Sequence, residues 1–316
     1  MFQTKIEIPV SDFNISFEDR IMALGSCFAQ NIGKKMNDVC FNIDLNPFGV
    51  LYNPVSISNS IELLLQNKTF TGDDIFNYRS LWQSYSHSSL FTDTSKEACL
   101  KNINTRLESS CKFMQHTNVI LITFGTAWVF EEKKSGRVVS NCHKLPASEF
   151  TRRRLTVKEI VDNYTNLIKK MTSSLPDLQF IFSVSPIRHW KDGAHESTIS
   201  KSTLLLAIDE LQQQHDRVHY FPAYEIQMDE LRDYRFYAPD MLHPSDVAID
   251  YIWNRFSDTY FAKHTIELKK RLEQLNADLS HRPIHPDSAE YKSFLIKVQN
   301  RKADLITEFP FLLNRL

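Results

Sequence analysis

Short apolar runs that alternate with helical segments are the feature that most restricts the fold of this chain. Each run is apolar at nearly consecutive positions, which is typical of strands buried on both faces of a parallel sheet. The predicted strands cover residues 20–24, 40–45, 119–124, 179–184 and 218–221. Strands that alternate with helices predict an α/β fold with three layers, α/β/α, around a mostly parallel five-stranded sheet.

The helical segments carry apolar residues at spacings of three and four, as helices with one buried face require. They cover residues 28–36, 55–66, 96–114, 157–173, 197–214, 245–261, 267–279 and 286–306. Insertions near residues 50–115 and 128–150 interrupt the alternation. In the second insertion Gly136 supplies the turn of a predicted hairpin. The three arginines at 152–154 are interpreted as a solvated approach to the next helix.

These patterns predict one α/β domain over residues 1–262, followed by a helical appendage over residues 263–316. The 37 basic and 38 acidic residues nearly balance, so no nucleic-acid or membrane partner is expected. No apolar run approaches the roughly 20 residues of a membrane helix. The N-terminus lacks a signal-peptide pattern, and the five cysteines form no C-x-x-C pair. We therefore expect a cytoplasmic protein with reduced thiols and neither metal nor cofactor.

The turn from the first strand into the first helix is a candidate site. Gly25 permits a sharp turn, and Ser26 and Cys27 follow it at a helix N-terminus. Ligands of open α/β sheets bind beyond the carboxyl ends of the strands, and helix N-termini favour anions. Such a position can lower a thiol pKa and stabilise an oxyanion, so both residues are candidate nucleophiles. The alternative is that Ser26 caps the helix and Cys27 is simply buried.

A second candidate lies near the end of the predicted domain, in the loop before helix 245–261. Histidine is the usual general base near neutral pH, and His243 follows Asp240 by three residues. An aspartate at that distance can orient the imidazole. The alternative, a surface aspartate and a histidine packed by Pro244, is common for an isolated D-x-x-H.

Residues 25–29 read Gly-Ser-Cys-Phe-Ala, and the chain resembles the GSCFA family of bacterial proteins within the SGNH/GDSL hydrolase superfamily. The resemblance implies an SGNH, flavodoxin-like fold and an ester hydrolase. Asp240 and His243 match the last superfamily block, Asp-x-x-His. Counted from Gly25, Cys27 falls on the position of the nucleophile, whereas a shift by one residue keeps a serine nucleophile at Ser26. The segments that carry the rest of the resemblance are 46–49, 123–128, 141–144, 183–189 and 234–237.

The resemblance also implies the groups that hold the oxyanion and the substrate. Backbone N–H groups of Cys27 and Gly49 are the implied oxyanion donors. Gly125 matches the third superfamily block, but Ala127 stands where that block has asparagine. Residues that can replace this donor are Thr126, Asn141 and His143. Substrate contacts are expected from Asn141, His143, Arg188 and His189, the last two because they follow a strand at the same sheet edge.

Two functions remain open at this point. The first is hydrolysis or transfer of an acyl ester, with a small-molecule or glycan ester as substrate and a Cys/Ser-His-Asp site. The second is a catalytically degenerate SGNH module that binds a ligand or a protein partner. The missing third-block asparagine and the unusual nucleophile block favour the second function, and fold alone does not decide between them.

Overall fold

The computed structural model describes residues 4–316, so the first three residues of the predicted domain 1–262 lie outside the described part. The strands in chain order are β1 (Arg20–Gly25), β2 (Asn42–Leu45), β3 (Phe76–Tyr78), β4 (Leu81–Gln83), β5 (Val119–Phe124), β6 (Trp128–Glu132), β7 (Val138–Val139), β8 (Phe150–Arg154), β9 (Gln179–Val184) and β10 (Val218–Tyr220). The helices are α1 (Cys27–Asp38), α2 (Pro54–Leu65), α3 (Lys96–Met114), α4 (Val157–Ser174), α5 (Gly193–Gln214), α6 (Ala223–Glu225), α7 (Asp246–Tyr260), α8 (Lys263–Leu279) and α9 (Ala289–Glu308).

The five predicted strands form one parallel sheet in the order β10-β9-β5-β1-β2, which confirms the predicted α/β sheet. Gly25 pairs with Thr123, and Phe124 pairs with Val184. The carboxyl ends of β1, β5 and β9 are therefore level. Because ligands bind beyond these ends, the loops that follow the three strands define the edge on which a site can be built.

Alternate residues of each strand face opposite layers of helices. Met22 and Leu24 join one core, whereas Ile21 and Ala23 join the other. The first core is shared with α2, α3, α4 and α5, and the second with α1, α7, α8 and α9. Both faces of the sheet are thus covered, which explains why the strands are apolar at consecutive positions and confirms the three-layer α/β/α fold.

The antiparallel insertions hold three strands that the sequence pattern did not predict, β3, β4 and β8. The hairpin β3–β4 turns at Arg79 and Ser80, which adopt φ of +52° and +61°, a conformation that Gly and Asn usually signal. The predicted hairpin around Gly136 is present as β6 and β7. The interpretation of arginines 152–154 as a solvated approach to a helix is wrong, because β8 pairs with β6.

The C-terminal helices pack directly on the second core. Leu272 and Leu275 of α8 and Leu305 of α9 are fully buried in it, as is Leu312 beyond α9. This segment therefore braces the α1 side of the sheet instead of lying apart from it. Within residues 4–316, no helix is both long and apolar enough to cross a membrane.

Candidate active site

The turn between β1 and α1 is held by backbone contacts at the sheet edge. Gly25 has φ of +135°, and a Cβ atom there would lie 2.2 Å from the carbonyl oxygen of Thr123. The Gly25 N–H donates to Asn46 Oδ1 at 2.9 Å, and the Ser26 N–H donates to the Thr123 carbonyl at 3.2 Å. Only glycine tolerates this conformation and this close contact. Helix α1 then begins two residues later, at Cys27.

Ser26 and Cys27 occupy different environments. Ser26 is 1% exposed, and its Oγ accepts the N–H of Phe28 at 3.3 Å, so it caps α1. Cys27 is partly exposed. Burial raises the pKa of the Cys27 thiol, against the lowering effect of the Cys27 and Phe28 N–H groups and of the Lys201 charge. The resting group is therefore a thiol that needs a base before it can attack.

Asp240 and His243 form a hydrogen-bonded pair. His243 Nδ1 lies 2.6 Å from Asp240 Oδ2, while Asp240 Oδ1 accepts the N–H groups of Leu242 and His243, each at 2.9 Å. Backbone N–H donation first, and then the His243 side chain, lower the pKa of Asp240 to about 2. An ionised carboxylate only accepts hydrogen bonds, so Nδ1 of His243 is the donor, and in the neutral ring Nε2 then keeps the lone pair. This is the tautomer that a general base requires.

Aromatic and imidazole rings connect this pair to the end of β1. The His189 ring lies 6.0 Å from the His243 ring, and the Tyr52 ring lies 6.3 Å from the His189 ring, as centroid distances. Burial and then the charge of Cys27 raise the pKa of Tyr52. Burial is also the main cause that lowers the pKa of His189. The loops after β1, β2 and β9 and the Asp240–His243 loop therefore converge at one edge.

Three of the predicted oxyanion donors already have acceptors inside the protein. The Gly49 N–H donates to the Asn46 carbonyl at 2.8 Å. The N–H groups of Gly125 and Thr126 both donate to the Tyr52 carbonyl, at 2.7 and 3.0 Å. The Cys27 N–H, by contrast, has no acceptor beyond its own thiol among residues 4–316. Of the predicted backbone donors, it is the one left available to an oxyanion in this conformation.

The predicted substrate contacts Asn141 and His143 join two insertion loops. His143 is buried, and its Nε2 lies 2.7 Å from the Ser84 carbonyl oxygen. Asn141 Oδ1 accepts the His143 N–H at 2.8 Å, and Asn141 Nδ2 donates to Ser89 Oγ at 3.2 Å. These hydrogen bonds give both side chains a structural role, tying the loop after β7 to the loop after β4.

A groove of about 500 Å³ opens beside the Asp240–His243 loop. Arg188 lies on its wall, where Nη2 donates to the Ala194 carbonyl and to Thr198 Oγ1, at the start of α5. The groove also presents large side chains to solvent: Trp190 is 58% exposed, Tyr234 75% and Met241 51%. Exposed aromatic rings at the rim of a cleft are typical of a ligand site.

The sequence reading missed Lys201, which lies at the same edge. Lys201 is 3% exposed, and its Nζ donates to the carbonyls of Gly125 and Ser185 at 2.7 and 2.6 Å. Burial lowers the pKa of Lys201 to about 7. A signal was present, because a lysine at 201 falls on the buried stripe of α5 with Ser197 and Leu204. Residues 4–316 hold no cluster of three or more His, Cys, Asp or Glu side chains suited to a metal ion.

The chain is similar to several solved structures, and it matches two protein-family models. A carbohydrate esterase family 3 structure from Talaromyces cellulolyticus is 10% identical, with 80% of this chain and 98% of that chain covered and a TM-score of 0.36. The acetyl xylan esterase Est2A from the rumen bacterium Butyrivibrio proteoclasticus is 9% identical, with coverages of 80% and 64% and a TM-score of 0.39. No curated protein sequence matches the chain. The GSCFA family model matches residues 20–256, and the model of the GSCFA domain protein C-terminal domain matches residues 272–314.

Proposed function

This chain belongs to the GSCFA family, and we propose that it is an ester hydrolase or acyltransferase in which Cys27 is the nucleophile. The observation that carries the proposal is the 2.6 Å Asp240–His243 pair beside the edge where Cys27 begins α1. A base held in the correct tautomer by a carboxylate, near a nucleophile at a helix N-terminus, is the arrangement of acyl-transfer sites.

The reaction proceeds in two steps, acylation of Cys27 and transfer of the acyl group to water or to an acceptor hydroxyl. His243 Nε2 takes the proton from the Cys27 thiol as Sγ attacks the ester carbonyl carbon, and the Cys27 N–H donates to the oxyanion. The intermediate collapses, and the alcohol oxygen leaves with the proton from His243, which gives a thioester. Water, or an acceptor hydroxyl, then loses its proton to His243 and attacks the thioester. Release of the acid or new ester returns the proton to Cys27.

A glycan ester is the substrate class that the groove favours. The C–H groups on one face of a sugar ring stack on the electron-rich face of an aromatic ring. Trp190 and Tyr234 offer such faces, and Arg188 and Asp233 offer hydrogen-bonding groups on the same walls. Met241, also on a wall, lies between Asp240 and His243 in the chain. A sugar bound here would bring its ester toward the His243 imidazole.

The test of the chemistry is hydrolysis of p-nitrophenyl acetate by the full chain. We expect Cys27→Ala and His243→Ala each to lower kcat/KM by about 100-fold or more, since both remove a group used in bond making. Cys142→Ala is the matched control, because Cys142 is a free thiol of similar partial exposure. Ser26→Ala should keep activity and lose about 1 kcal/mol of stability with its cap.

Activity that persists in Cys27→Ala but disappears in Ser26→Ala would overturn the nucleophile assignment. For the substrate class, Trp190→Ala should raise KM for an O-acetylated oligosaccharide and leave p-nitrophenyl acetate hydrolysis unchanged. Ile284→Ala, a 90% exposed position elsewhere, is the control. An inert wild type that labels with neither iodoacetamide nor a fluorophosphonate would favour the binding module, which the occupied N–H groups of Gly49 and Gly125 already favour.

A further inference from the structure

The candidate site lacks the side-chain donor that its resemblance implies. Ala127 stands at the asparagine position, and its buried methyl group cannot donate a hydrogen bond. The N–H groups of Gly49, Gly125 and Thr126 donate to carbonyls within the protein. Few donors therefore remain at this edge to balance a negative charge, and burial raises the pKa of the Cys27 thiol, so a thiolate there needs a positive group nearby.

Lys201 reaches this edge from the opposite layer of helices. Its ammonium has three N–H donors, and two of them donate to the Gly125 and Ser185 carbonyls. The third has no hydrogen-bond acceptor among residues 4–316. The Gly125 carbonyl belongs to the segment that follows β5, and β5 pairs with β1 at the Gly25–Thr123 register. The ammonium is therefore fixed beyond the ends of β5 and β9, and its charge acts on Cys27.

We propose that Lys201 is a positioning residue whose buried ammonium stabilises negative charge on the Cys27 sulfur as the thiol loses its proton. The inference rests on the proposed function for its catalytic meaning. The proton of the thiol still passes to His243, and Lys201 keeps its own. Because the ammonium is almost fully buried, little water screens it, and its attraction to a neighbouring thiolate is stronger than at the surface.

The charges around Lys201 support this role and define its pH range. Burial lowers the Lys201 pKa to about 7, while the charge of Cys27 raises it and the charge of Arg188 lowers it further. The Lys201 charge also contributes to lowering the pKa of His189, after burial, and the Tyr224 ring lies 5.7 Å from Nζ. The ammonium is thus present below about pH 7 and lost above it.

The experiment is the alkylation rate of Cys27 by iodoacetamide at pH 6.5 and 9.5, read by mass spectrometry of the Cys27 peptide. Lys201→Gln keeps a hydrogen-bond donor and removes the charge. We expect it to react on the order of tenfold more slowly than wild type at pH 6.5, which corresponds to a shift of about one pKa unit. At pH 9.5, where Lys201 is neutral, the two rates should converge.

A second variant moves the rate in the opposite direction. Lys201→Arg stays charged at pH 9.5, so its Cys27 should react faster than wild type there. Lys269→Gln is the control, because Lys269 is also buried and donates to Asn254 Oδ1, but lies in α8. Folding is checked by thermal melting, and either Lys201 variant suffices for the test. A folded variant with the wild-type rate at both pH values would overturn the inference.

The outcome is separable from that of the proposed function, because alkylation requires no turnover. A wild type inert toward esters whose Cys27 still responds to Lys201→Gln contradicts the esterase proposal and supports the charge coupling. An active wild type whose Lys201→Gln alkylation is unchanged contradicts the coupling alone.

Discussion

His87 is predicted to destabilise the fold in acid. Its ring is fully buried among aromatic rings, with centroids 4.6 Å from Phe48, 4.9 Å from Phe70 and 4.9 Å from Phe91. Neither ring nitrogen has a hydrogen-bond partner among residues 4–316. Burial, and then the charge of His143, lower the pKa of His87 from 6.5 to about 3. The perturbation is His87→Leu, which keeps a similar volume and removes the titrating group.

The direction of the pH effect follows from proton uptake. Between pH 6.5 and 3 the unfolded chain binds a proton at His87 and the folded chain does not, so the free energy of unfolding falls as the pH falls. Each pH unit in this window costs about 1.4 kcal/mol. From pH 7 to pH 4.5, His87 should therefore remove about 2.5 kcal/mol from the free energy of unfolding. The leucine variant should lose that much less, because every other titrating group is shared.

The assay is urea unfolding of wild type and His87→Leu at pH 7 and pH 4.5. At pH 7 the free energies of unfolding of the two proteins should differ by no more than about 1 kcal/mol, since an apolar side chain packs well among aromatic rings. His116→Gln, an exposed histidine, is the control and should keep the wild-type pH dependence. If the difference between wild type and His87→Leu is the same at both pH values, His87 is not held neutral and the argument is refuted.

Two further predictions concern stability and are also measured by urea unfolding. Gly25→Ala should lower the free energy of unfolding by about 3 kcal/mol or more, because its Cβ would lie 2.2 Å from the Thr123 carbonyl oxygen. Gly136→Ala, also at positive φ but in open space, should lower it by about 1 kcal/mol. Equal losses would contradict the steric argument. Arg255→Met should lower the free energy of unfolding by about 3–5 kcal/mol, because it leaves the buried Glu230 carboxylate without its ion-pair partner. Adding Glu230→Gln to the same chain should recover much of the loss. Fully additive effects of the two substitutions would contradict the pairing.

The central sheet was predictable because it follows from a local signal. Val119–Phe124 and Gln179–Val184 are mostly apolar, and each is the strand that the structure shows. The hairpin β3–β4 was not predictable from the same signal. Its turn uses Arg79 and Ser80 at positive φ, where local preference favours Gly or Asn, so the surrounding contacts and not the turn residues determine the hairpin.

The candidate site likewise has one part that was predictable from local sequence and one part that was not. Asp240 and His243 were predictable because three residues of chain suffice to bring the two side chains together. The environment of Cys27 was not, because Tyr52 occupies the N–H groups of Gly125 and Thr126 from a loop more than seventy residues away in the chain. Local sequence encodes which reactive groups exist, whereas long-range packing determines which donors remain free to act on them. The electrostatic support of this site therefore has to be sought on other elements, which is why a buried lysine on α5 is the group to test.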